Sequence, residues 1–489
     1  MTDRVKRAAG RPESRSAADR RPSRPGGGAD RRSPKGKRRD KDEDRDVEHE
    51  AAPPPDFSMI AGGPARAAAV DLLFMTERDL TLEEALSASR AFAQLEGADR
   101  AFARAIASTT LRRRGSIDAI IGDHLDRPFP KRARRAMLIL RSAAAQMLFL
   151  DTAPHAAAST AVALAQAYRE TASLAGVINA ICRRIAETGK SRLAALPARV
   201  DTAGWLWRSW ERAYGPAGAR RIADAHSKSP PPLDLTVKDP GRLIEFIERT
   251  GGVAIGAGSI RLFHEPNVPD LPGYANGDWW VQDAAAALPV KLFGDVNGLA
   301  ALDMCAAPGG KTLQLAAGGA RVVALDQSGP RLKRLADNLA RTKLEAETLK
   351  EDARTYAPAA PFDRVLLDAP CTATGTIRRH PDVMWSKSPD SLAALAALQS
   401  KLIDRAVNLT SPGGIFVYCV CSLQPEEGEA QAAAALSRHP NLTLRPVEPG
   451  MLGDLSSAAT KDGWLRTSPA MLPENGGCDG FFAAAFDVG

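Results

Sequence analysis

Apolar residues recur three and four positions apart through residues 63–189, as at Ala65, Ala68 and Leu72. This spacing is typical of amphipathic helices, and strand-like alternation is almost absent. Prolines interrupt the pattern between helical stretches, where helices are expected to end. The pattern predicts an all-α domain over residues 61–192. Its predicted helices cover 65–77, 81–94, 98–113, 116–123, 131–149, 156–169 and 173–187.

The pattern changes over residues 197–290, where short strands and helices are mixed. A helix carrying Trp205, Trp207 and Trp210 comes first, and the segment 227–232 (SKSPPP) breaks the helical spacing. The pattern predicts a small α+β module. Its surface is a candidate for RNA binding, and a packing or linker role is equally consistent with it. The other predicted elements are helices at 216–226 and 240–250 and strands at 233–238 and 259–264.

From residue 291 to residue 489, apolar strands are separated by helices. Strands that are apolar throughout and follow one another through helices form parallel sheets covered on both faces. This part of the chain therefore predicts a Rossmann-like α/β domain with a mostly parallel sheet. The predicted strands are 299–304, 321–326, 363–368, 415–420, 442–447 and 479–488, and the long helices are 330–343 and 390–408.

The composition is that of an ordinary globular protein, with 44% hydrophobic and 25% charged residues among 489. It excludes a wholly disordered, a collagen-like and a disulfide-scaffold protein, since six cysteines are too few for a disulfide framework. No apolar run approaches the roughly 18 residues of a transmembrane helix. The N-terminus also lacks the apolar segment of a signal peptide. We therefore expect a cytoplasmic protein with no membrane partner, and a monomer by default.

Most of the net charge of +7 lies in an N-terminal tail. Residues 1–50 hold 16 of the 65 basic and 11 of the 58 acidic residues, a net of +5. A basic block over 1–39 is followed by an acidic block over 40–50, and such a composition cannot bury a core. We expect residues 1–60 to be a disordered tail. Nucleic acid is one possible partner for it, and a solubilising extension is the other interpretation.

The segment 303–312 (DMCAAPGGKT) joins a predicted strand to a helix. It resembles a phosphate-binding P-loop only superficially, because that motif needs a glycine at position 305, which is a cysteine. What remains is a turn at the carboxyl end of a parallel sheet, where α/β folds bind ligands. Gly309 and Gly310 allow a ligand to approach the backbone closely.

Two acids follow the next two strands. Asp326 ends the second strand, where a carboxylate can accept both hydroxyls of a ribose. Asp352 stands where a third strand is expected to end, and it could reach an adenine amino group. With the helix N-terminus available for a carboxylate, these positions describe a nucleoside pocket without a triphosphate site. S-adenosylmethionine fits this description.

Cysteines follow the fourth and fifth strands, in Asp368-Ala-Pro-Cys371 and Cys419-Val-Cys421. We expect these strands to be neighbours, so both cysteine loops can face one cleft. A zinc site is disfavoured because it needs about four ligands in paired clusters, and we expect no metal. Cys182, within a helix, is expected to be structural, and Cys478 is not assigned.

Paired cysteines beside a nucleoside pocket favour covalent catalysis on a pyrimidine. Addition of a thiolate at carbon 6 makes carbon 5 nucleophilic enough to attack a methyl sulfonium. The addition needs a hydrogen bond or a proton at ring nitrogen 3, which a cleft Asp can supply, and a base must later remove the carbon-5 proton. A thiol with a pKa near 8.5 must be activated for this step. The target base must also leave any stack to enter the cleft.

Three longer motifs resemble the signature blocks of the RNA (cytosine-5)-methyltransferases of the RsmB/NOP type. They are DMCAAPGGKT at 303–312, DAPCTATGTIRRHPD at 368–382 and VCSLQPEEGE at 420–429. The match spans about 230–489 in the family's order and includes the terminal DGFFAA. It implies methylation of carbon 5 of a cytosine, with S-adenosylmethionine as the methyl donor.

The resemblance also implies a role for individual residues. Cys421 matches the nucleophile, although Val420 replaces the usual Thr, and Cys419 is a rival nucleophile. Cys371 matches the cysteine that acts in product release. Asp368 would contact the cytosine, and Lys311 is a second such candidate. The methyl donor would lie along Cys305, Ala306, Ala307, Pro308, Gly309, Gly310, Lys311, Asp326, Asp352 and Asp368.

The helical domain resembles NusB, an RNA-binding antitermination factor. The matching text lies at 137–150 (MLILRSAAAQMLFL), 154–168 (PHAAASTAVALAQAY) and 174–184 (LAGVINAICRR). A NusB-like domain ahead of this methyltransferase domain is the arrangement of bacterial 16S rRNA methyltransferases, so 16S rRNA is the expected RNA partner. Arg112–Arg114 and Lys131–Arg135 are candidate RNA contacts, with a solvated helix face as the alternative.

Three other functions compete with this hypothesis. The same chemistry could act on tRNA or another RNA. A DNA cytosine methyltransferase would use Cys371 as its nucleophile, in a Pro-Cys pair. The non-enzymatic interpretation is an RNA-binding assembly or antitermination factor. The complete donor-binding loop at 303–312 and the two cleft cysteines disfavour that last interpretation. The three acids at the strand ends, Asp326, Asp352 and Asp368, disfavour it as well.

Overall fold

The computed structural model describes residues 55–228, 230–264 and 266–489. The tail predicted over residues 1–60 lies outside the described residues except for its last six positions.

The first domain is all helical, as predicted. Thr81 and Glu84 form a capping box at the start of the second helix, and Pro154 begins the seventh at a position where its missing N–H costs nothing. The apolar stripes of these helices meet in one core, which includes Cys182. Its helices are α1 Gly63–Thr76, α2 Leu82–Ala88, α3 Arg90–Ala93, α4 Gly97–Arg112, α5 Arg114–Gly122, α6 Arg134–Phe149, α7 Pro154–Ala167 and α8 Ala175–Ala194.

The Trp-rich helix α9, Gly204–Ser227, breaks at Gly215 (φ 70°) and Pro216, between the two helices that the sequence predicts. The buried Trp210 packs in a core with residues of the segments 377–384 and 423. Its indole N–H donates to the Gln424 side chain at 3.0 Å. The helix α9 therefore shares its core with loops of the large sheet, and the small sheet that follows has a core of its own.

The small sheet is antiparallel, with the strand order β2-β3-β1-β4. Its strands are β1 Leu233–Val237, β2 Val253–Ile255, β3 Ser259–Leu262 and β4 Trp279–Val281, and α10 Leu243–Thr250 packs on it. Two three-residue strands, β2 and β4, are absent from the sequence prediction because they are too short to show alternation. A fully buried ion pair crosses this sheet, with Arg261 donating to Asp234 at 2.6 and 2.7 Å.

The large sheet has the strand order β10-β12-β9-β8-β5-β6-β7, with β11 pairing on β12. The pairs from β9 to β7 are parallel, and β12 joins β9 antiparallel. Its strands are β5 Ala300–Met304, β6 Arg321–Leu325, β7 Glu347–Leu349, β8 Phe362–Asp368, β9 Thr410–Val420, β10 Leu442–Arg445, β11 Leu465–Arg466 and β12 Phe482–Val488. The remaining helices are α11 Leu288–Lys291, α12 Gly310–Ala317, α13 Gly329–Thr342, α14 Val383–Ser386, α15 Pro389–Leu409 and α16 Glu429–Arg438.

The strand order reverses between β5 and β8. From β5 the chain proceeds to β6 and β7 on one side, and then returns to β8 and β9 on the other. Loops that leave the carboxyl ends of two such strands diverge and form a crevice, which is where open α/β sheets bind ligands. All three signature motifs of the sequence begin at this edge of the sheet.

Candidate active site

The loop after β5 has a backbone conformation that lets a ligand approach its main chain closely. Cys305 and Gly309 have φ angles of 62° and 109°. A Cβ at Gly309 would lie 2.3 Å from Leu335, so only glycine fits there. Within the loop Ala306 and Ala307 are buried and Pro308 is exposed. The helix α12 then starts at Gly310, with its first N–H groups at the crevice.

Asp326, just after β6, is tied to this loop. Its carboxylate accepts the backbone N–H of Ala307 at 3.1 Å and that of Ser328 at 2.8 Å. Arg331 approaches the same carboxylate at 3.4 Å. Asp326 and the loop after β5 therefore form one wall of the crevice.

Asp352 follows β7, the next strand along the edge. The backbone N–H of Asp326 donates to the carbonyl of Leu349 at 3.2 Å, so the two strand ends are adjacent. Hydrogen bonds from Arg354 hold the pKa of Asp352 at about 2, and the carboxylate is ionised at neutral pH. The sequence-predicted pair of acids thus lies at neighbouring strand ends.

Asp303, on β5, has one unused oxygen. Its Oδ2 accepts the Thr312 hydroxyl at 2.6 Å, while Oδ1 is buried and accepts nothing from the described residues. Burial raises the pKa of Asp303 to about 7. A ligand with an amino group would supply the donor that Oδ1 lacks. Together with two carboxylates for hydroxyl and amino groups, these residues fit an adenosyl amino acid.

Lys311, in the first turn of α12, lies across the crevice from β8. Its ammonium donates to Asp368 at 2.7 Å and lies 5.0 Å from the centre of the Phe481 ring. The Lys311 side chain is 8% exposed and that of Asp368 is 31% exposed. The negative charge of Asp368 raises the pKa of Lys311 against the opposing effect of burial. Lys311 is therefore charged at neutral pH, and the pair is reachable from the Asp368 side.

Cys371 and Cys421 come together as the sequence predicts, with their Sγ atoms 3.5 Å apart. Both are partly exposed. The hydrogen bond to Cys421 and burial raise the pKa of Cys371 well above its ordinary value. Because of that shift, Cys371 keeps its proton at neutral pH.

The other cleft cysteines are in unreactive surroundings. Cys419 is fully buried on β9, and its thiol donates to Asp368 at 3.6 Å. Burial, followed by the charge of Asp368, raises the pKa of Cys419 well above its ordinary value. Burial also raises the pKa of Cys305 to about 12. A thiol that resists ionisation is a poor nucleophile, so this geometry disfavours Cys419 as the rival to Cys421.

Glu427 is buried behind Cys371, and the sequence alone predicts no role for it. Glu427 accepts the backbone N–H of Thr372 at 2.8 Å and also its hydroxyl. It accepts the Gln399 amide at 3.1 Å as well. The motif that contains Glu427 is visible in the sequence. No local pattern, however, links Glu427 to Thr372, which lies 55 positions earlier.

In the predicted RNA-contact group Arg112–Arg114, the structure corrects the expectation for Arg112, whose side chain is used inside the fold. The Arg112 guanidinium donates to the carbonyls of His226 and Arg378 at 3.1 and 2.8 Å, so it joins the helical domain to α9 and to the loop after β8. Arg113 and Arg114 approach Asp201 and Asp118 at 3.2 and 3.7 Å. Arg112 and Arg113 therefore connect the helical domain to segments that follow it, whereas the Arg114–Asp118 pair lies within α5.

The second predicted basic segment faces solvent. Lys131, Arg132 and Arg134 are exposed, whereas Arg135 stacks on the rings of Phe74 and Tyr168.

In the part of the chain that the structure describes, no helix is long and apolar enough to cross a membrane. The same residues contain no cluster of three or more His, Cys, Asp or Glu side chains arranged to hold a metal.

Comparison with known proteins identifies both domains. A model of the 16S rRNA methyltransferase RsmB/F family matches residues 292–487, and a model of the NusB family matches residues 63–187. A solved structure titled "Crystal Structure of PH0851" matches with a TM-score of 0.69 at 22% identity, over 88% of this chain and 100% of that chain. It shares the fold.

Curated relatives match over most of their length. The ribosomal RNA small subunit methyltransferase B of Serratia proteamaculans is 36% identical over 370 residues, which are 72% of this chain and 85% of that protein. The protein of the same name from Salmonella arizonae is 34% identical over 391 residues, 75% and 89% of the two chains. These matches confirm the resemblance drawn from the three motifs. The chain therefore belongs to the RsmB/F family of ribosomal RNA methyltransferases and carries a NusB-type helical domain ahead of its methyltransferase domain.

Proposed function

We propose that this protein methylates carbon 5 of a cytosine in 16S rRNA, with S-adenosylmethionine as donor and Cys421 as a covalent nucleophile. The observation that carries the proposal is the 3.5 Å approach of the Cys371 and Cys421 sulfurs beside the Lys311–Asp368 pair. The names of the curated relatives support 16S rRNA as the substrate.

The donor would be held along the loop after β5. Asp326 would accept the ribose hydroxyls, Asp352 the adenine amino group, and the free oxygen of Asp303 the amino group of the methionine part. The turn from Cys305 to Gly310 lets the donor approach the backbone. When bound, the donor supplies a methyl group on a sulfonium, which is the electrophile of the reaction.

The Lys311–Asp368 pair matches the edge of a cytosine. One N–H of Lys311 is used by Asp368, which leaves two to donate to ring nitrogen 3 or to the carbonyl at carbon 2. The Asp368 carboxylate would accept the exocyclic amino group, as carboxylates do from cytosine in nucleic-acid recognition. Uracil presents an acceptor in place of that amino group and would be repelled. The pair therefore selects cytosine and polarises its ring.

The two sulfurs would divide the covalent steps. The Cys421 thiolate would add to carbon 6 while Lys311 stabilises the charge that develops on the ring. Carbon 5 would then be able to take the methyl group that the bound donor supplies, and the donor would leave as a neutral thioether. The carbon-5 proton would pass to solvent, and its bonding electrons would reform the carbon 5–carbon 6 double bond. The carbon–sulfur bond would break with its electron pair returning to Cys421 as the thiolate. Cys371 keeps its proton, so its S–H stabilises the departing thiolate by a hydrogen bond.

The test is methyl transfer from isotopically labelled S-adenosylmethionine by the purified full chain. A 16S rRNA transcript and bulk tRNA are offered in parallel, and the nucleosides are then separated by mass spectrometry. We expect labelled 5-methylcytidine from the 16S transcript only. Label in tRNA would change the substrate, and label on another atom would overturn the covalent mechanism.

A further inference from the structure

A second polar cleft lies beside the active site, between the end of α9 and the segment 469–477. It has a volume of about 670 Å³, and the prolines at 230–232, 469 and 473 form stiff parts of its wall. Its charged lining consists of Arg221, Lys228 and Arg378 against a single acid, Asp224. The cleft is therefore electropositive.

Arg378 is the unusual member of this lining, because it is 3% exposed and poorly paired. Its Nε and Nη2 atoms are buried and have no hydrogen-bond partner among the described residues. The Asp479 carboxylate comes within 3.5 Å of Nε, too far and too oblique for a hydrogen bond. The N–H groups of a buried guanidinium normally donate hydrogen bonds, because leaving those hydrogen bonds unmade costs free energy.

The nearby acids are engaged by another arginine. Arg379 donates to Asp283 at 2.6 Å and approaches Asp479 at 3.3 Å. Burial also raises the pKa of Asp479 to about 7, which weakens its charge near neutrality. Arg378 therefore shares its nearest carboxylate with Arg379, and that carboxylate is only partly charged near neutrality.

The cleft wall next to the Arg378 guanidinium is formed by a glycine, Gly477, and so carries no side chain there. Gly477 has a φ of 81°, and a Cβ there would lie 2.8 Å from Nη1 of Arg378. Any side chain at this position would cover the guanidinium. The glycine leaves Nη1 facing the cleft.

The cleft adjoins the reacting cysteines. The backbone N–H of Gly375 donates to the carbonyl of Cys421 at 3.0 Å, and the N–H of Gly480 donates to the carbonyl of Gly375 at 2.9 Å. Arg378 follows Gly375 by three residues, and three residues span at most about 11 Å. A group bound at Arg378 therefore lies within a few nucleotides of a base held at Cys421.

We propose that Arg378, with Arg221 and Lys228, forms a phosphate subsite that binds a backbone phosphate of the RNA near the target cytosine. This inference rests on the proposed function, because it takes RNA as the substrate. Arginine donates two parallel hydrogen bonds to a phosphate, which would satisfy the donors that the free protein leaves unpaired. The subsite would position the strand for extrusion of the base and would not select sequence.

The test is the salt dependence of the dissociation constant for a 16S rRNA transcript, measured with the full chain between about 50 and 200 mM salt. The variants are Arg378→Met and the surface double variant Arg221→Met/Lys228→Met. Lys461→Met removes one exposed charge elsewhere and is the control. We expect Arg378→Met to weaken binding about tenfold and to lower the log–log slope by about one. We expect a similar change in the double variant and none in the control.

Thermal unfolding separates binding from structure. We expect Arg378→Met to melt at or above the temperature of the wild type, because it removes a buried charge whose hydrogen bonds are unmade. If that variant does not fold, the double variant decides, since both of its positions are exposed. Unchanged slopes in the folded variants would overturn the proposal.

A further arm compares inorganic phosphate with chloride at equal ionic strength. Stabilisation of the wild type but not of Arg378→Met by phosphate, with unchanged RNA slopes, would assign the cleft to a free anion and overturn the RNA subsite. Because RNA binding is measured without turnover, a failure of the cytosine chemistry would leave these slopes unaffected. The two proposals therefore fail separately.

Discussion

The sulfur atoms of Cys371 and Cys421 lie 3.5 Å apart, on loops that follow two adjacent parallel strands. A contact this close between residues 50 positions apart depends on the pairing of β8 with β9, which aligns Asp368 with Cys419. The pairing of β8 with β5, its other neighbour, brings Asp368 within reach of Lys311, which lies in the first turn of the helix after β5. The proposed nucleophile, release group and base-binding pair thus depend on the pairing of β8 with both of its neighbours in the sheet.

Replacing Cys421 and Cys371 separately should distinguish the addition step from the release step. Cys421→Ala is expected to lower methyl transfer by at least about a thousandfold, because the covalent route is lost, while RNA and donor binding change little. In the Cys371→Ala variant, Cys421 is expected to add to the base as in the wild type, but the base is expected to be released slowly. A slow-migrating, RNase-sensitive protein band on a denaturing gel measures that adduct.

The double variant Cys371→Ala/Cys421→Ala is the control and should give no band. A band that persists in it would make Cys419 the nucleophile, despite its burial. Full turnover by Cys421→Ala would contradict the covalent assignment altogether.

Glu427→Gln should disturb release more than addition. The carboxylate accepts both donors of Thr372, the residue after Cys371, and an amide offers only one acceptor oxygen there. An unmade hydrogen bond at a buried site costs about 1–3 kcal/mol, so stability falls by about that amount. We expect the loosened Cys371 to leave more trapped adduct than in the wild type.

Glu426→Gln is the matched control, since Glu426 is the exposed neighbour in the same motif. Chemical denaturation and the denaturing gel measure the two effects. Equal stability and equal adduct in the two variants would mean that Glu427 does not position Cys371.

The parts of the fold with strong periodicity could be predicted from the sequence. The starts and ends of β5, β6 and β8 lie within one residue of the predicted strands, because uninterrupted apolar runs report burial directly. The strand β9 begins at Thr410, five residues before its prediction, and runs through a Pro-Gly-Gly segment that is typical of a turn. A register shift opposite this segment, between Phe362 and Arg364, accommodates it.

The parts that could not be predicted depend on partners far apart in the chain. Arg112 has the local pattern of an exposed helix residue, yet its partners lie 114 and 266 positions away. The same holds for Glu427 and for the unpaired Arg378. Local patterns indicate which strand ends carry the chemistry, whereas the packing of domains decides which polar groups are used.

Asp326→Ala should mainly weaken donor binding. A ribose contact is shared by the ground and transition states, so its loss raises the dissociation constant with little effect on the maximal rate. We expect an increase of about tenfold or more in the dissociation constant for S-adenosylmethionine by calorimetry. Asp337→Ala, an exposed acid on α13, is the control. Lost turnover at saturating donor with unchanged affinity would contradict the ribose role.

Asp303→Asn should change how stability depends on pH. Burial raises the pKa of Asp303 to about 7 from 3.8 in the folded chain, with Asp368 and Asp326 adding to the shift and Thr312 and Lys311 opposing it. Between about pH 4 and pH 7 the folded state therefore keeps a proton that the unfolded state has released. The free energy of unfolding contributed by this group falls as pH rises through that window.

A shift of this size corresponds to about 4 kcal/mol at most. Because Asn cannot ionise, Asp303→Asn removes the effect and should be more stable than the wild type at pH 7.5, with the difference vanishing near pH 4. Chemical denaturation across this range, without added donor, measures it. Asp479, whose pKa is also raised to about 7, contributes a slope of the same sign to both proteins and cancels in the comparison. Parallel curves for the two proteins would show that Asp303 is ionised in the folded chain and that its unpaired oxygen carries a full charge.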